Sequence, residues 1–200
     1  MRVIAGEFRS RRLKSIPGLA TRPTPDRLRQ RLFDILGSRV EGAVFLDAYA
    51  GTGAVGIEAL SRGAARAVFI EKSKNAAQVI RENLASLGIE NRALLVVSSA
   101  LSALAIHQAD IVFLDPPYDR EAEYAPALKL LAENETQLAI AQHPVRLALE
   151  DAYGELKRSR IVKQGDNALS IYYKIRSSTG APTPHPSILA AEAWLDETSK

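Results

Sequence analysis

Apolar and polar positions along this chain change their spacing several times, and each change marks an element. Val3 to Phe8 and Arg12 to Ile16 read as two short strands that pair as a hairpin. Thr21–Pro25 (TRPTP) is a stiff turn leading into a helix: Thr24 can cap it, Pro25 suits its first position and Asp26 favours its dipole. Leu28, Leu32, Ile35 and Leu36 form the apolar stripe, Gly37 ends it, and Arg27, Arg29 and Arg31 fall on the other sides.

From residue 43 short apolar runs alternate with helical spacing. The runs are Ala43–Leu46, Ala67–Ile70, Leu94–Val97, Ile111–Leu114 and Val145–Leu149. Val55–Arg62 and Ser73–Leu87 are helical, each followed by glycine, and Glu121–Leu131 is a further helix. Runs that are apolar throughout suit strands covered on both faces, so the pattern predicts an α/β, doubly wound, mostly parallel sheet. Glu155–Val162 and Ala168–Ile175, joined by Lys163–Asn167, read as a closing antiparallel hairpin. After Arg176 the composition becomes linker-like (SSTGAPTPHP), and Ser187–Asp196 could form a short helix.

Composition narrows the function classes. The 200 residues include no Cys, which excludes disulfides, zinc–thiolate sites and thiol nucleophiles. His107, His143 and His185 are scattered and read as surface or helix-end residues, so no metal is expected. No apolar run reaches the ~18 residues of a membrane span, and MRVIAGEFRSRRLK lacks the apolar core of a secretory signal. The expected location is the cytoplasm. Charge is uneven: residues 1–40 carry ten Lys/Arg against three acids, a balance of +7, so the remainder sums to −4 within a total of +3. A basic arm on a slightly acidic body suits a polyanionic partner met by one end, although a solvated basic surface fits the same numbers.

Candidate chemistry lies at three strand ends. The first strand runs into Asp47-Ala48-Tyr49-Ala50-Gly51-Thr52-Gly53, followed by Gly56, where glycines permit a sharp turn and close approach of a ligand to the backbone. That spacing also occurs in dinucleotide-binding enzymes. Asp47, however, would repel a pyrophosphate and attract a sulfonium or ammonium group; alternatively it merely caps the following helix. Glu71, after the second strand, is placed to accept from both hydroxyls of a ribose, in NAD or S-adenosylmethionine alike, or to pair with Lys72 or Lys74. Ile111–Leu114 delivers Asp115-Pro116-Pro117-Tyr118. Consecutive prolines remove two N–H donors, leaving the Asp115 carboxylate and the Pro116 carbonyl as acceptors for an exocyclic amine. Tyr118 can stack on its base, which would have to be turned out of any duplex.

DAYAGTGAVGIEAL followed by FLDPPYD resembles the Rossmann-like S-adenosylmethionine-dependent methyltransferases that act on amino nitrogens. RVIAGEFRSRRL, RPTPDRLRQRLFDIL and EALSRGA narrow the resemblance, over about residues 1–176, to the RsmD family. That resemblance implies a seven-stranded sheet with a C-terminal antiparallel hairpin (41–176), a small basic N-terminal extension (1–40), and a linker and tail (177–200). It implies methyl transfer from S-adenosyl-L-methionine to a guanine N2 amine of small-subunit ribosomal RNA, free or within a particle. Asp47, Ala48, Tyr49, Gly51 and Gly53 would line the methionine end, Glu71 the ribose, and Asp115–Tyr118 the target base. Arg22, Pro23 and Thr24 would close over the site, and Arg9, Arg11, Arg12, Lys14 and Arg27 would meet RNA phosphates. Family members usually carry Asp or Asn near the end of the third strand, against the adenine, whereas this chain offers the Ser99 hydroxyl. The rivals are an adenine-N6 or cytosine-N4 DNA methyltransferase, an NAD(P)-dependent oxidoreductase, and a non-catalytic RNA-binding module.

Overall fold

Strands that are apolar on both faces can be stable only under helices on both sides, and the chain satisfies this with one sheet. In the computed structural model, which describes residues 1–16 and 26–175, the strands are β1 (Val44–Asp47), β2 (Arg66–Ile70), β3 (Ala93–Val96), β4 (Ile111–Leu114), β5 (Leu138–Pro144), β6 (Ala152–Tyr153), β7 (Leu156–Gln164) and β8 (Asn167–Lys174). Their order is β3-β2-β1-β4-β5-β8-β7-β6. The first five run parallel, and β8, β7 and β6 add antiparallel. The helices are α1 (Asp26–Leu36), α2 (Ala54–Ser61), α3 (Lys74–Leu87), α4 (Ala100–Leu104) and α5 (Tyr124–Glu133).

Alternation along the strands divides the core. Phe45, Phe69, Phe113 and Ile140 face α1, α2 and α3. Leu46, Ile70, Val112 and Ala139 face α4 and α5. A Cβ on Gly56 would come within 2.3 Å of the Phe69 ring, so α2 lies on β2 at a distance only glycine allows. Ser73 caps α3 by accepting from the Ala76 N–H, and Gly88, with φ of 69°, closes it.

Several expectations need correction. The strands Val3–Phe8 and Arg12–Ile16 are absent; the arm folds back through a single Arg2–Arg12 bridge, with turns at Gly6 and Ser10, both at positive φ. Gly6 sits against α2, where an added Cβ would lie 1.9 Å from the Ser61 carbonyl oxygen. Val145–Leu149 is not the fifth strand. That strand is Leu138–Pro144, immediately before it, where buried Gln142 and His143 interrupt the apolar signal. β6 makes the sheet eight-stranded rather than seven-stranded. A 3-10 stretch, Tyr118–Glu123, precedes α5, and α4 had no counterpart in the sequence reading. The Ser187–Asp196 helix lies outside the described residues, as do Arg22, Pro23 and Thr24. Among the described residues no helix is long and apolar enough to cross a membrane.

The largest departure is Arg29, expected at the surface and wholly buried. Its Nη2 donates to the Arg2 carbonyl at 2.6 Å and to Asp26 Oδ1 at 2.9 Å, and its Nε lies 3.9 Å from Glu58 Oε2. Burial lowers its pKa, while Glu58 and Asp26 favour its charge. Glu58, also fully buried, accepts from the N–H groups of Ile4 and Ala5 and from Arg62 Nε. Two buried charges therefore fasten the N-terminal arm to α1 and α2, with Val3, Phe8 and Leu13 completing the same core. Removing one member of such a pair strands the other. Glu58→Gln should lower unfolding free energy by about 3–5 kcal/mol, read as an earlier urea midpoint; an unshifted midpoint would contradict this fastening.

Candidate active site at the carboxyl edge of the sheet

β1 and β4 are neighbours, with Asp47 paired to Phe113. The segments that follow them, the glycine loop and the Asp-Pro-Pro-Tyr turn, therefore emerge side by side. The Ala48 N–H donates to the Phe113 carbonyl at 3.0 Å. At Gly51 and Gly53 φ is 55° and 80°, conformations that other residues reach only with strain. A Cβ at Gly51 would meet nothing within 4 Å, so this part of the loop faces open space.

Asp47 is buried, and its Oδ2 accepts from the Gly56 N–H at 3.2 Å. It therefore does cap α2, as its simpler reading proposed; the Tyr49 N–H is also directed at the carboxylate, and two such bonds leave it able to accept further. Burial raises its pKa from 3.8 to about 7, opposed by the Gly56 bond and reinforced by the nearby charges of Asp115 and Glu71. Three acids thus gather around one loop, a concentration of carboxylates that a cationic ligand relieves.

Glu71, half-buried just beyond β2, accepts from the Gly51 N–H at 2.8 Å and the Ser73 N–H at 2.7 Å. Pairing with Lys72 or Lys74 is not what the structure shows. An ionised carboxylate has about four acceptor positions, so two such bonds leave it able to accept further. Ser99 caps α4, accepting from the Ser102 N–H and donating to the Ser102 hydroxyl at 2.7 Å.

At the other strand end Asp115 is half-buried, Pro116 buried, and Pro117 and Tyr118 exposed. Tyr118 keeps 61% of its surface, so its ring is open to contact from solvent. Glu123 was not anticipated: it accepts from the Tyr49 hydroxyl at 2.8 Å, tying the glycine loop to the start of α5. Burial and this bond both raise the Tyr49 pKa, so the phenol keeps its proton. Nothing local in the sequence marks a pair 74 residues apart. Asn83 in α3 is a second such link, donating to the carbonyls of Thr52 and Lys14 and so joining loop to arm.

Within the arm, Arg11 donates to the Ser86 carbonyl and Lys14 pairs with Glu82 at 2.9 Å. Arg9, Arg12 and Arg27 are exposed. His143 is not a surface residue: it is buried in β5, where Nδ1–H donates to the Pro144 carbonyl and Nε2 accepts from Ser170. Burial lowers its pKa. Among the described residues no cluster of three or more potential metal ligands occurs.

A solved structure named "Putative methyltransferase yhhF from Escherichia coli" superposes with a TM-score of 0.77 at 36% identity, covering 87% of this chain and 97% of that one. Fold and rim together define a Rossmann-like methyltransferase. The family model described as "Conserved hypothetical protein 95" matches residues 1–173. "Ribosomal RNA small subunit methyltransferase D" of Escherichia coli (strain K12) is 41% identical over 136 residues, 67% of this chain and 68% of that protein. "Putative rRNA methyltransferase YlbH" of Bacillus subtilis (strain 168) is 34% identical over 87% of this chain and 99% of its own length. The chain belongs to this family, the RsmD family.

The Asp47 carboxyl titrates from a native value of about 7 against 3.8 when free. Its contribution to stability is complete below 3.8 and is lost as pH rises through about 7, because the folded state holds a proton that the unfolded chain has released. Unfolding free energy of the ligand-free protein should fall across this window with a slope of up to ~1.4 kcal/mol per pH unit from this group. Asp47→Asn should flatten that slope in urea titrations between pH 5 and 8; identical slopes would refute the assignment.

Proposed function

We propose that this protein transfers a methyl group from S-adenosyl-L-methionine to the exocyclic N2 amine of a guanine in small-subunit ribosomal RNA. The observation that carries the reading is the register of β1 with β4, which sets a buried carboxylate suited to a cationic donor beside an acceptor-rich turn suited to an amine. The residues present fit the donor. Among the described residues Asp47 forms no ion pair, Gly51 opens the loop, and Glu71 keeps acceptor capacity for ribose hydroxyls. Ala48, Tyr49 and Gly53 shape the same loop, and Ser99 stands at the end of β3 as the candidate for the adenine.

When bound, the donor supplies a methyl carbon made electrophilic by sulfonium sulfur. The chain itself positions the amine. The Asp115 carboxylate and the Pro116 carbonyl each accept one N–H, directing the nitrogen lone pair toward the methyl group and stabilising the positive charge that develops on nitrogen. Pro117 holds the turn rigid, and Tyr118 stacks on the base, a contact worth about 1–3 kcal/mol. Placing two reactants in line lowers a barrier by up to about 7–11 kcal/mol, so orientation is the main contribution. Asp115 need not be a strong base, since the nitrogen loses its proton readily once methylated.

An NAD(P)-dependent oxidoreductase would leave the Asp-Pro-Pro-Tyr turn without a task, and a bare RNA-binding module would leave the glycine loop without one. The experiment is methyl transfer in vitro to free small-subunit RNA and to small-subunit particles, followed by mass spectrometry of the nucleosides. N2-methylguanosine is the expected product; methylation only at adenine N6 or cytosine N4 would overturn the substrate. Asp115→Ala should reduce turnover by ~100-fold or more while S-adenosylmethionine binding by calorimetry stays unchanged. Turnover at the wild-type level would remove the amine-orienting role.

A further inference from the structure

The hollow between the N-terminal arm, α1 and the turn joining β7 to β8 has no part in the chemistry described so far. It measures about 690 Å³ and is lined by Arg2, Arg9, Arg27, Arg31 and Lys163, with Asp26 and Asp34 as its acids. Asp26 is paired with buried Arg29, while Asp34 accepts from the neutral Gln30 amide at 2.6 Å and keeps its charge. The five cations are all exposed, and among the described residues none has a carboxylate within ion-pair distance. The five cations outnumber the two acids, so the concavity is positively charged and attracts an anion.

The hollow lies at the same edge of the sheet as the candidate active site. Pro144, the last residue of β5, pairs with Asn167, and the Val145 N–H donates to Asp166, so the β7–β8 turn stands on the rim from which Asp115 emerges. From β4 to β7 is three strand spacings, ~14 Å. A strand whose base is turned out at Asp115–Tyr118 would carry its neighbouring phosphates across that interval.

We propose that this hollow is the docking site for the RNA backbone beside the target nucleotide, with Arg31 of α1 and Lys163 of the C-terminal hairpin as phosphate ligands together with Arg2, Arg9 and Arg27. This rests on the reading of the protein as an RNA methyltransferase and extends it: the antiparallel hairpin, remote from cofactor chemistry, becomes part of the substrate surface. Arg11 and Lys14, held by Ser86 and Glu82, are secondary to it.

The test measures binding of a small-subunit ribosomal RNA fragment against salt for wild type, the double variant Arg31→Gln/Lys163→Gln, and Arg66→Gln, an exposed cation at the opposite end of β2. Each lost phosphate contact should reduce the slope of log affinity against log salt by about 0.7–0.9. The double variant is therefore expected to lose roughly twice that, with Arg66→Gln, thermal unfolding and S-adenosylmethionine affinity unchanged. Asp34→Asn should tighten binding. A wild-type slope in the double variant, in an enzyme whose wild type methylates the RNA, overturns the docking site alone. A double variant with reduced slope, in a protein whose wild type transfers no methyl group, upholds the docking site and overturns the reaction.

Discussion

Everything at the working edge of this molecule depends on β1 lying between β2 and β4. Chain order runs outward from β1 to β3 on one side and then returns to continue from β4 on the other. At such a reversal the loops leaving two adjacent strands diverge to opposite faces, and a crevice opens between them. The Asp47–Phe113 register and the Ala48–Phe113 hydrogen bond fix the crevice. The Tyr49–Glu123 bond spans it. The glycine loop and the Asp-Pro-Pro-Tyr turn are thus brought together by backbone pairing, the most rigid device available, and only their final alignment is left to side chains.

The second constraint is electrostatic. The interior holds Arg29 and Glu58 at no solvent exposure, an arrangement that rarely adds stability over an apolar pair but is intolerant of partial loss. Its role here is to fix direction. Glu58 accepts from two successive N–H groups of the arm, and Arg29 meets the Arg2 carbonyl, so the arm can sit in one orientation only. Arg62 adds a third member, bonding Glu58 and lying 4.9 Å from the Phe33 ring centroid. The cations carried by the arm are consequently presented from a firm base.

The central strands were readable because continuous apolar runs ending in Asp47, Glu71 or Asp115 have few other meanings. The fifth strand was not. In Leu138–Pro144 two polar side chains are buried, one satisfied by Ser170, and no window of sequence reveals a partner 27 residues away. The stretch after it, Val145–Leu149, looks more like a strand, yet Leu147 and Leu149 are only partly covered against the α5 side of the core. Arg29 was misplaced for the same reason: helical spacing identifies the apolar stripe, and a buried cation on it becomes visible only once Glu58 arrives from another helix. At the site, the residues attached to strand ends were legible. Glu123 and Asn83, which act across long separations, were not.

The ends of the sheet carry a final implication. One border strand, β3, has four residues; at the other border β6 pairs only with Leu156 and Lys157, so β7 from Arg158 onward is the outer strand, with a register shift between Arg158 and Arg160. Unpaired ladder is what invites edge-to-edge aggregation, and short or bulged borders with charged neighbours suppress it. On β7 that protection comes from the bulge and from Arg158, Arg160 and Lys163, charges that a second strand would have to accommodate, and not from a covering strand.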